Sequence, residues 1–293
     1  MVTSLGQTLV FGILVGALYG LVALGLSLVF GVTKLLNVAH GELLMIGGFV
    51  GFWAFSLYGV SPFLTIPISM VALFLLGAFL YKIIFARTVK LPEETKIKNT
   101  LLVAFGLSII LQNLALRFWT ADERGISTQF LRTSFTLLGI RFPVVRLANL
   151  VIAVFFLVAL TLFLRKTYMG KAIRATVQNW EAAYLMGIDI HKVYLLSFAI
   201  GAALAGVAGT LVSMNFSIQP NMGLNWTLKA LIVMVLGGLG SIPGTFIGGL
   251  ILGVTESATS YFISSNYREI AGLVLFLLVL IFRPQGLLGA KEA

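Results

Sequence analysis

The sequence predicts an all-α fold: a polytopic transmembrane helical bundle of about eight to nine spans, some broken or re-entrant. Three observations carry that expectation. Of 293 residues, 59% are hydrophobic and 10% are charged, and mean hydropathy is +1.04, far outside the range of soluble domains. Met1–Thr33, Leu43–Tyr81, Val193–Leu228 and Ala230–Thr255 contain no charged residue, and a spanning helix needs about 20 apolar residues. The apolar runs are also continuous, whereas a membrane β-barrel alternates over segments of about 10 residues.

In chain order, Leu9–Phe30 reads as the first helix. It lacks a basic leader and is long enough to span, so it is expected to be a span rather than a cleaved signal. Gly31–Glu42 interrupts the pattern before Leu43–Tyr58. Tyr58-Gly-Val-Ser-Pro62 is a turn, because proline fixes its own φ and disfavours helix just before it. Phe63–Tyr81, Asn99–Leu116, Leu147–Leu164 and Val193–Met214 read as further spans. Ser134–Pro143 mixes β-branched, aromatic and turn residues, the pattern of a small hairpin, which either caps the helices or helps dock a partner. Gly237-Gly-Leu-Gly-Ser-Ile-Pro-Gly244 breaks the late apolar region. Its flanks, Thr227–Gly238 and Gly244–Ser257, are halves of about 12–14 residues that reach about 18–21 Å. They predict a re-entrant hairpin or, with their flanks, two tilted spans. Ile270–Phe282 is the last span, with Arg268 and Arg283 snorkelling at its two ends.

Orientation follows from counting cations. Loops 82–98 and 165–192 share a side and together hold ten Lys/Arg, against five in loop 117–146. The excess places the first two in the cytoplasm. Residues 1–293 are then one membrane domain, with a cytoplasmic loop 165–192, an extracytoplasmic loop 117–146 and an internal C-terminal tail; counting back from Lys82 gives an external N-terminus, which an extra break near Gly31 would reverse. The net charge of +10 sits in loops and answers the membrane potential and anionic lipid, not nucleic acid.

Several chemistries are excluded. There is no cysteine, hence no disulfide or thiolate metal site. No phosphate-binding Gly-x-x-x-x-Gly-Lys-Ser/Thr run occurs, so the chain does not bind ATP through that motif, and hydrolase and His-Glu-x-x-His patterns are missing. His40 and His191 are far apart, so no metal or cofactor is expected and no catalytic residue is assigned. Ion-coupled carriers bury carboxylates in mid-span, and only Glu42 and Glu256 come close.

The polar run Gln178-Asn-Trp-Glu-Ala-Ala-Tyr-Leu-Met-Gly187 stands out in so apolar a chain. Glu181-Ala182-Ala183-x-x-x-Gly187 resembles the start of the "EAA" loop in permease subunits of bacterial ATP-binding-cassette importers, although the Ile-x-Leu-Pro that often ends that loop is absent. Three other segments resemble branched-chain amino acid permeases of that class. They are Gly20–Gly31 leading into Leu36-Asn-Val-Ala-His-Gly-Glu42, then Leu228–Gly244, and Arg283-Pro-Gln-Gly-Leu-Leu-Gly289. The Asn-Val-Ala-His-Gly-Glu form is closer to the first permease of the usual pair.

The resemblance implies an all-helical importer subunit in a bacterial-type inner membrane, moving leucine, isoleucine and valine by alternating access. It implies as partners a second related permease, two cytoplasmic ATPase subunits and an extracytoplasmic substrate-binding protein. Relatives for urea, short amides or other amino acids remain an alternative, and an ion-coupled secondary transporter is a second one. Asn179, Glu181, Ala182, Ala183, Tyr184 and Gly187 are the expected coupling residues. Asn37, His40 and Gly41, with Gly237, Gly238, Gly240 and Gly244, are candidates for the path or its gate. Asn37 and His40 would share a helical face if Leu36–Met45 is helical, or else they satisfy backbone groups at a helix break. Glu42 reads as a first-turn charge favoured by the helix dipole, and Gln112 and Asn113 as interhelical hydrogen-bonding groups. Lys229 reads as a snorkelling side chain, and Glu256 as an ion-pair partner of Arg268 or Lys229.

Overall fold

The computed structural model describes residues 2–89, 93–128, 133–137 and 139–289. The chain is almost entirely helical: α1 (Val2–Thr33), α2 (His40–Tyr58), and α3 (Thr65–Leu80) prolonged by a π-helical turn into α4 (Ala86–Thr88). Next come α5 (Glu93–Trp119), a hairpin of β1 (Ser134–Leu137) and β2 (Ile140–Pro143), and α6 (Val144–Lys166). The short α7 (Tyr168–Gln178) and α8 (Trp180–Leu185) precede α9 (Ile190–Asn215), α10 (Gly223–Gly237), α11 (Ile242–Phe262) and α12 (Arg268–Phe282). Among the described residues, seven helices are long and apolar enough to cross a membrane, and α10 with α11, bent by 116° at their break, make an eighth element. The chain is a multi-pass membrane protein, and the foreseen break at Gly237–Gly244 is real.

Two helices form the interior. The spans beginning with α1 and α9 bury most of their surface, whereas those of α6 and α12 bury little. In lipid the gain comes from close backbone packing rather than from hydrophobic exclusion, and small residues supply it. On α1, Gly12, Gly16 and Gly20 lie against Val254, Leu250 and Phe246 of α11, an antiparallel seam in which any Cβ would meet backbone or a ring. Gly25 of α1 and Gly201 of α9 face each other in the same manner. The other side of α9 takes α2 through Gly47 against Gly206, and α3 through Ser69, whose Oγ receives the Thr210 hydroxyl at 2.6 Å.

Polar groups tie the remaining helices to this pair. Glu256 of α11 is 2% exposed; its Oε1 accepts from Lys229 Nζ at 3.1 Å and its Oε2 from Arg268 Nε at 2.6 Å. The Tyr19 hydroxyl donates to Oε2 at 2.7 Å and accepts from Arg268 Nη2 at 2.6 Å. Glu256 thus pairs with both cations. Lys229 does not snorkel, because a buried carboxylate offers its ammonium more than the interface does. Asn113 is also corrected: its amide donates to the Ile109 carbonyl of its own helix at 2.8 Å, and among the described residues it bridges to no neighbouring helix.

The two ends of the bundle gather different segments. At one end, Gln7 exchanges hydrogen bonds with the Arg141 backbone, which joins the N-terminal helix to the hairpin. At the other, Gly31 meets Gly240, and the Leu287 and Leu288 amides donate to Leu236 and Gly237. The C-terminal tail therefore lies with the α10–α11 turn. Arg165 and Arg174 line a cleft with Gly240 and Ser241, so loop 165–192 shares that end. Lys90 and Arg132, two of the counted cations, lie outside the described residues.

Candidate functional site

Two clusters gather the polar residues singled out from the sequence. The first is α8. The Asn179 side chain accepts from the Ala182 amide at 2.9 Å and so caps the helix start. At its other end, Gly187 has φ of +84°, a conformation that glycine adopts without penalty. The Gly187 amide donates to the Tyr184 carbonyl and the Ile188 amide to the Ala183 carbonyl, the paired bonds of a Schellman stop. The Asn179–Gly187 spacing is therefore that of a two-turn helix sealed at both ends.

Of α8 only Ala183 is buried, while Glu181 and Tyr184, three residues apart, are both exposed. Tyr184, Leu185 and Met186 are 66%, 83% and 84% exposed. An apolar ridge is thus displayed at an end of the molecule rich in charge. Between α8, the end of α1 and the start of α5 lies a cleft of about 1050 Å³, lined by Lys34, Lys96, Asn179, Trp180 and Tyr184 among others. Just after α8, Asp189 caps α9 by accepting from the Lys192 amide at 3.2 Å. That hydrogen bond holds its carboxyl below the ordinary carboxylate range.

The second cluster lies deep in the bundle. After α1 ends at Thr33, the chain turns back so that His40 Nε2 reaches the Val22 carbonyl at 3.0 Å. A carbonyl only accepts, so this nitrogen carries the proton. Val22 is eleven residues, about 16 Å, inside the end of α1, and α2 therefore starts near mid-bundle. Leu36–Ala39 are not helical, so Asn37 shares no helical face with His40. Instead, Asn37 Oδ1 accepts from the Ala39 amide at 3.1 Å and the Asn37 carbonyl from the His40 amide at 3.2 Å. Asn37 satisfies a helix break, as buried backbone requires.

Beside it, the Gly41 amide donates to Thr227 Oγ1 of α10 at 2.8 Å, and that hydroxyl donates to the Val38 carbonyl at 2.9 Å. Glu42 lies in the first turn of α2 as expected, 2% exposed, and accepts from the Ser108 hydroxyl of α5 at 3.0 Å. Its carboxyl abuts Gly223 at the start of α10, where any Cβ would collide with it. The first turns of α2 and α10 thus converge around one carboxylate.

The structure does not bring the two groups of path candidates together. Asn37, His40 and Gly41 belong to this junction. Gly237, Gly238, Gly240 and Gly244 form the α10–α11 turn, with φ of +104° at Gly238 and +80° at Gly240, at the far end of the 15-residue α10. The junction also contains Ser108, Gly223 and Thr227, which the sequence reading missed. A lone serine or threonine in an apolar run carries no signal of its own. The Gly-Glu of residues 41–42 and the Met-Gly of residues 222–223, each just after a non-helical break, were the available hint.

Comparison with known proteins agrees with this architecture. Residues 8–282 match a family model described as branched-chain amino acid transport system / permease component. The chain is 34% identical over 296 residues to the high-affinity branched-chain amino acid transport system permease protein BraD of Pseudomonas aeruginosa, covering 98% of this chain and 96% of that protein. It is 34% identical over 307 residues to the corresponding permease protein LivH of Escherichia coli, with 98% and 96% covered. Among solved structures, PsaBC from Streptococcus pneumoniae in complex with Fab superposes with a TM-score of 0.52 over 97% of each chain at 13% identity, which speaks to the fold alone. A model spanning nearly the whole chain and relatives matched end to end lead to one conclusion: this chain belongs to the family of branched-chain amino acid transport permease components.

Proposed function

We propose that this chain is one of two membrane subunits of an ATP-binding-cassette importer that carries branched-chain amino acids across a bacterial-type inner membrane by alternating access. The observation that carries this reading is α8: a helix sealed by Asn179 and Gly187, anchored through Ala183 and presenting Glu181, Tyr184, Leu185 and Met186 outward. A short rigid helix with an exposed apolar ridge suits insertion into a groove of a partner, and its seals let a push or pull pass to α7 and α9 without unwinding it. In this reading the cytoplasm contains loop 165–192 and the C-terminal tail, and residues 1–293 act as one permease domain. Two ATPase subunits close on nucleotide and move α8. A related second permease completes the path, and an extracytoplasmic binding protein delivers the cargo to the hairpin end. Asn37, His40 and Gly41 line the region where the path narrows. Gly237, Gly238, Gly240 and Gly244 form the turn that lets α10 and α11 move as a pair.

The test is uptake by proteoliposomes containing this chain with its partner subunits. Leucine uptake that requires ATP and the binding protein, and that persists with an uncoupler, supports the proposal. Uptake by this chain alone, abolished by an uncoupler and indifferent to ATP, would replace it with an ion-coupled carrier.

A further inference from the structure

The Glu42 carboxylate is half-satisfied. Oε1 accepts from Ser108, whereas Oε2, fully buried, has no hydrogen-bond partner among the described residues. In a dry interior such a vacancy costs free energy unless a donor fills it. Next to it, α10 begins at Gly223 without a side-chain cap, and the first amides of a helix have no partner within the helix. An uncapped helix start attracts a negative group. A carboxylate oxygen in need of a cationic donor therefore lies beside amides in need of an acceptor, close to the middle of the bundle and where two helices begin.

Glu42 is covered by Ser108 of α5, and that helix exposes Leu102, Phe105, Ile110 and Leu114 at 73%, 50%, 57% and 46%. A helix so thinly packed on its own subunit moves at little cost to the core.

We propose that this junction is a transient station for the head group of a zwitterionic cargo, reached when α5 shifts. Glu42 Oε2 receives the cargo's ammonium group, and the α10 start at Gly223 faces its carboxylate. The apolar side chain requires no polar partner. This assignment deepens the amino-acid transport reading and rests on it. It also gives Glu42 a role beyond a first-turn charge.

The experiment uses the assembled transporter in detergent, with the binding protein omitted. Protection against thermal unfolding is titrated with L-leucine, with 3-methylbutylamine (no carboxylate) and with 4-methylpentanoate (no ammonium). For the unmodified complex, leucine and the amine are expected to protect, and the acid to require at least tenfold higher concentration. Glu42→Gln keeps the shape and removes the charge, and it is expected to lose at least tenfold in apparent affinity for leucine and the amine but not for the acid. Equal protection of Glu42→Gln and the unmodified complex by leucine overturns the assignment. So does a 4-methylpentanoate response matching that of leucine in the unmodified complex. If Glu42→Gln fails to assemble, the three-ligand series on the unmodified complex decides alone. Leucine uptake by the unmodified proteoliposomes is read separately. If leucine does not move, the amino-acid reading fails, whereas uptake with unaltered Glu42→Gln binding removes only this station.

Discussion

Gly41 on α2 gives its backbone N–H to the Thr227 hydroxyl on α10, 2.8 Å away, and this bond fastens together the starts of two helices far apart in sequence. Thr227→Val keeps the shape but leaves the Gly41 amide and the Val38 carbonyl unpaired in a buried site. A loss of about 1–3 kcal/mol is expected, seen as a lower thermal midpoint in detergent. Gly41→Ala goes further, because the added Cβ strikes the Gly223 carbonyl. It is expected to be worse than Thr227→Val in the same measurement, since backbone cannot yield as a side chain does.

The seals of α8 are separable. Asn179→Ala removes a cap worth about 1 kcal/mol, and Gly187→Ala forces a left-handed backbone at a cost of about 1–2 kcal/mol. Both changes are confined to one exposed six-residue helix. Membrane insertion and yield are therefore expected to be normal, while transport-stimulated ATPase activity of the complex falls. Tyr184→Ala, which disturbs neither seal, is expected to weaken retention of the ATPase subunits through a purification.

Glu256 is the shared counter-charge of Lys229 and Arg268. Removing one partner from a buried ionic cluster strands the others, so Glu256→Ala is expected to destabilise by about 3–5 kcal/mol. Glu256→Gln keeps the acceptor and is expected to cost less. Chromatographic monodispersity and the thermal midpoint, compared across the two, check the order.

The Asp189 cap has a defined pH response. Its carboxyl is held below its ordinary value because the charged form accepts the Lys192 amide. The contribution is complete above the unfolded value of about 4 and disappears as pH falls through the lower folded value. Protection of the first α9 amides in hydrogen exchange is expected to hold constant from neutral pH to about 5 and to be lost in Asp189→Ala, whereas Asp189→Asn keeps the cap and removes its pH dependence.

The sequence predicted some of this architecture well and some of it poorly, for physical reasons. Uncharged runs identify spans because lipid imposes length and apolarity on every crossing, so α1, α9 and α12 were legible. The Gly237–Gly244 break was legible because no helix accommodates that density of glycine and proline. Depth was not legible. That α2 begins beside Val22 rather than at the end of α1 depends on tertiary packing around Gly25 and Gly201. For the same reason the choice between a helical Leu36–Met45 and a break at Asn37 stayed open until the structure showed α2 starting at His40. Lys229 was read as snorkelling because its partners, Glu256 and Tyr19, approach from other helices. The α8 motif was visible because its two end residues act on adjacent backbone, which is local information. The α2–α10 junction joins residues almost two hundred positions apart, and no local pattern marks it.

The coupling role of α8 requires that it face the compartment that holds the ATPase subunits. The chain has no cysteine, so Tyr184→Cys, at a position 66% exposed, provides a single thiol free of background. A membrane-impermeant maleimide is applied to intact cells and to inverted vesicles. Labelling confined to inverted vesicles, and blocked when the ATPase subunits are present, is the predicted result. Labelling from outside intact cells would contradict it.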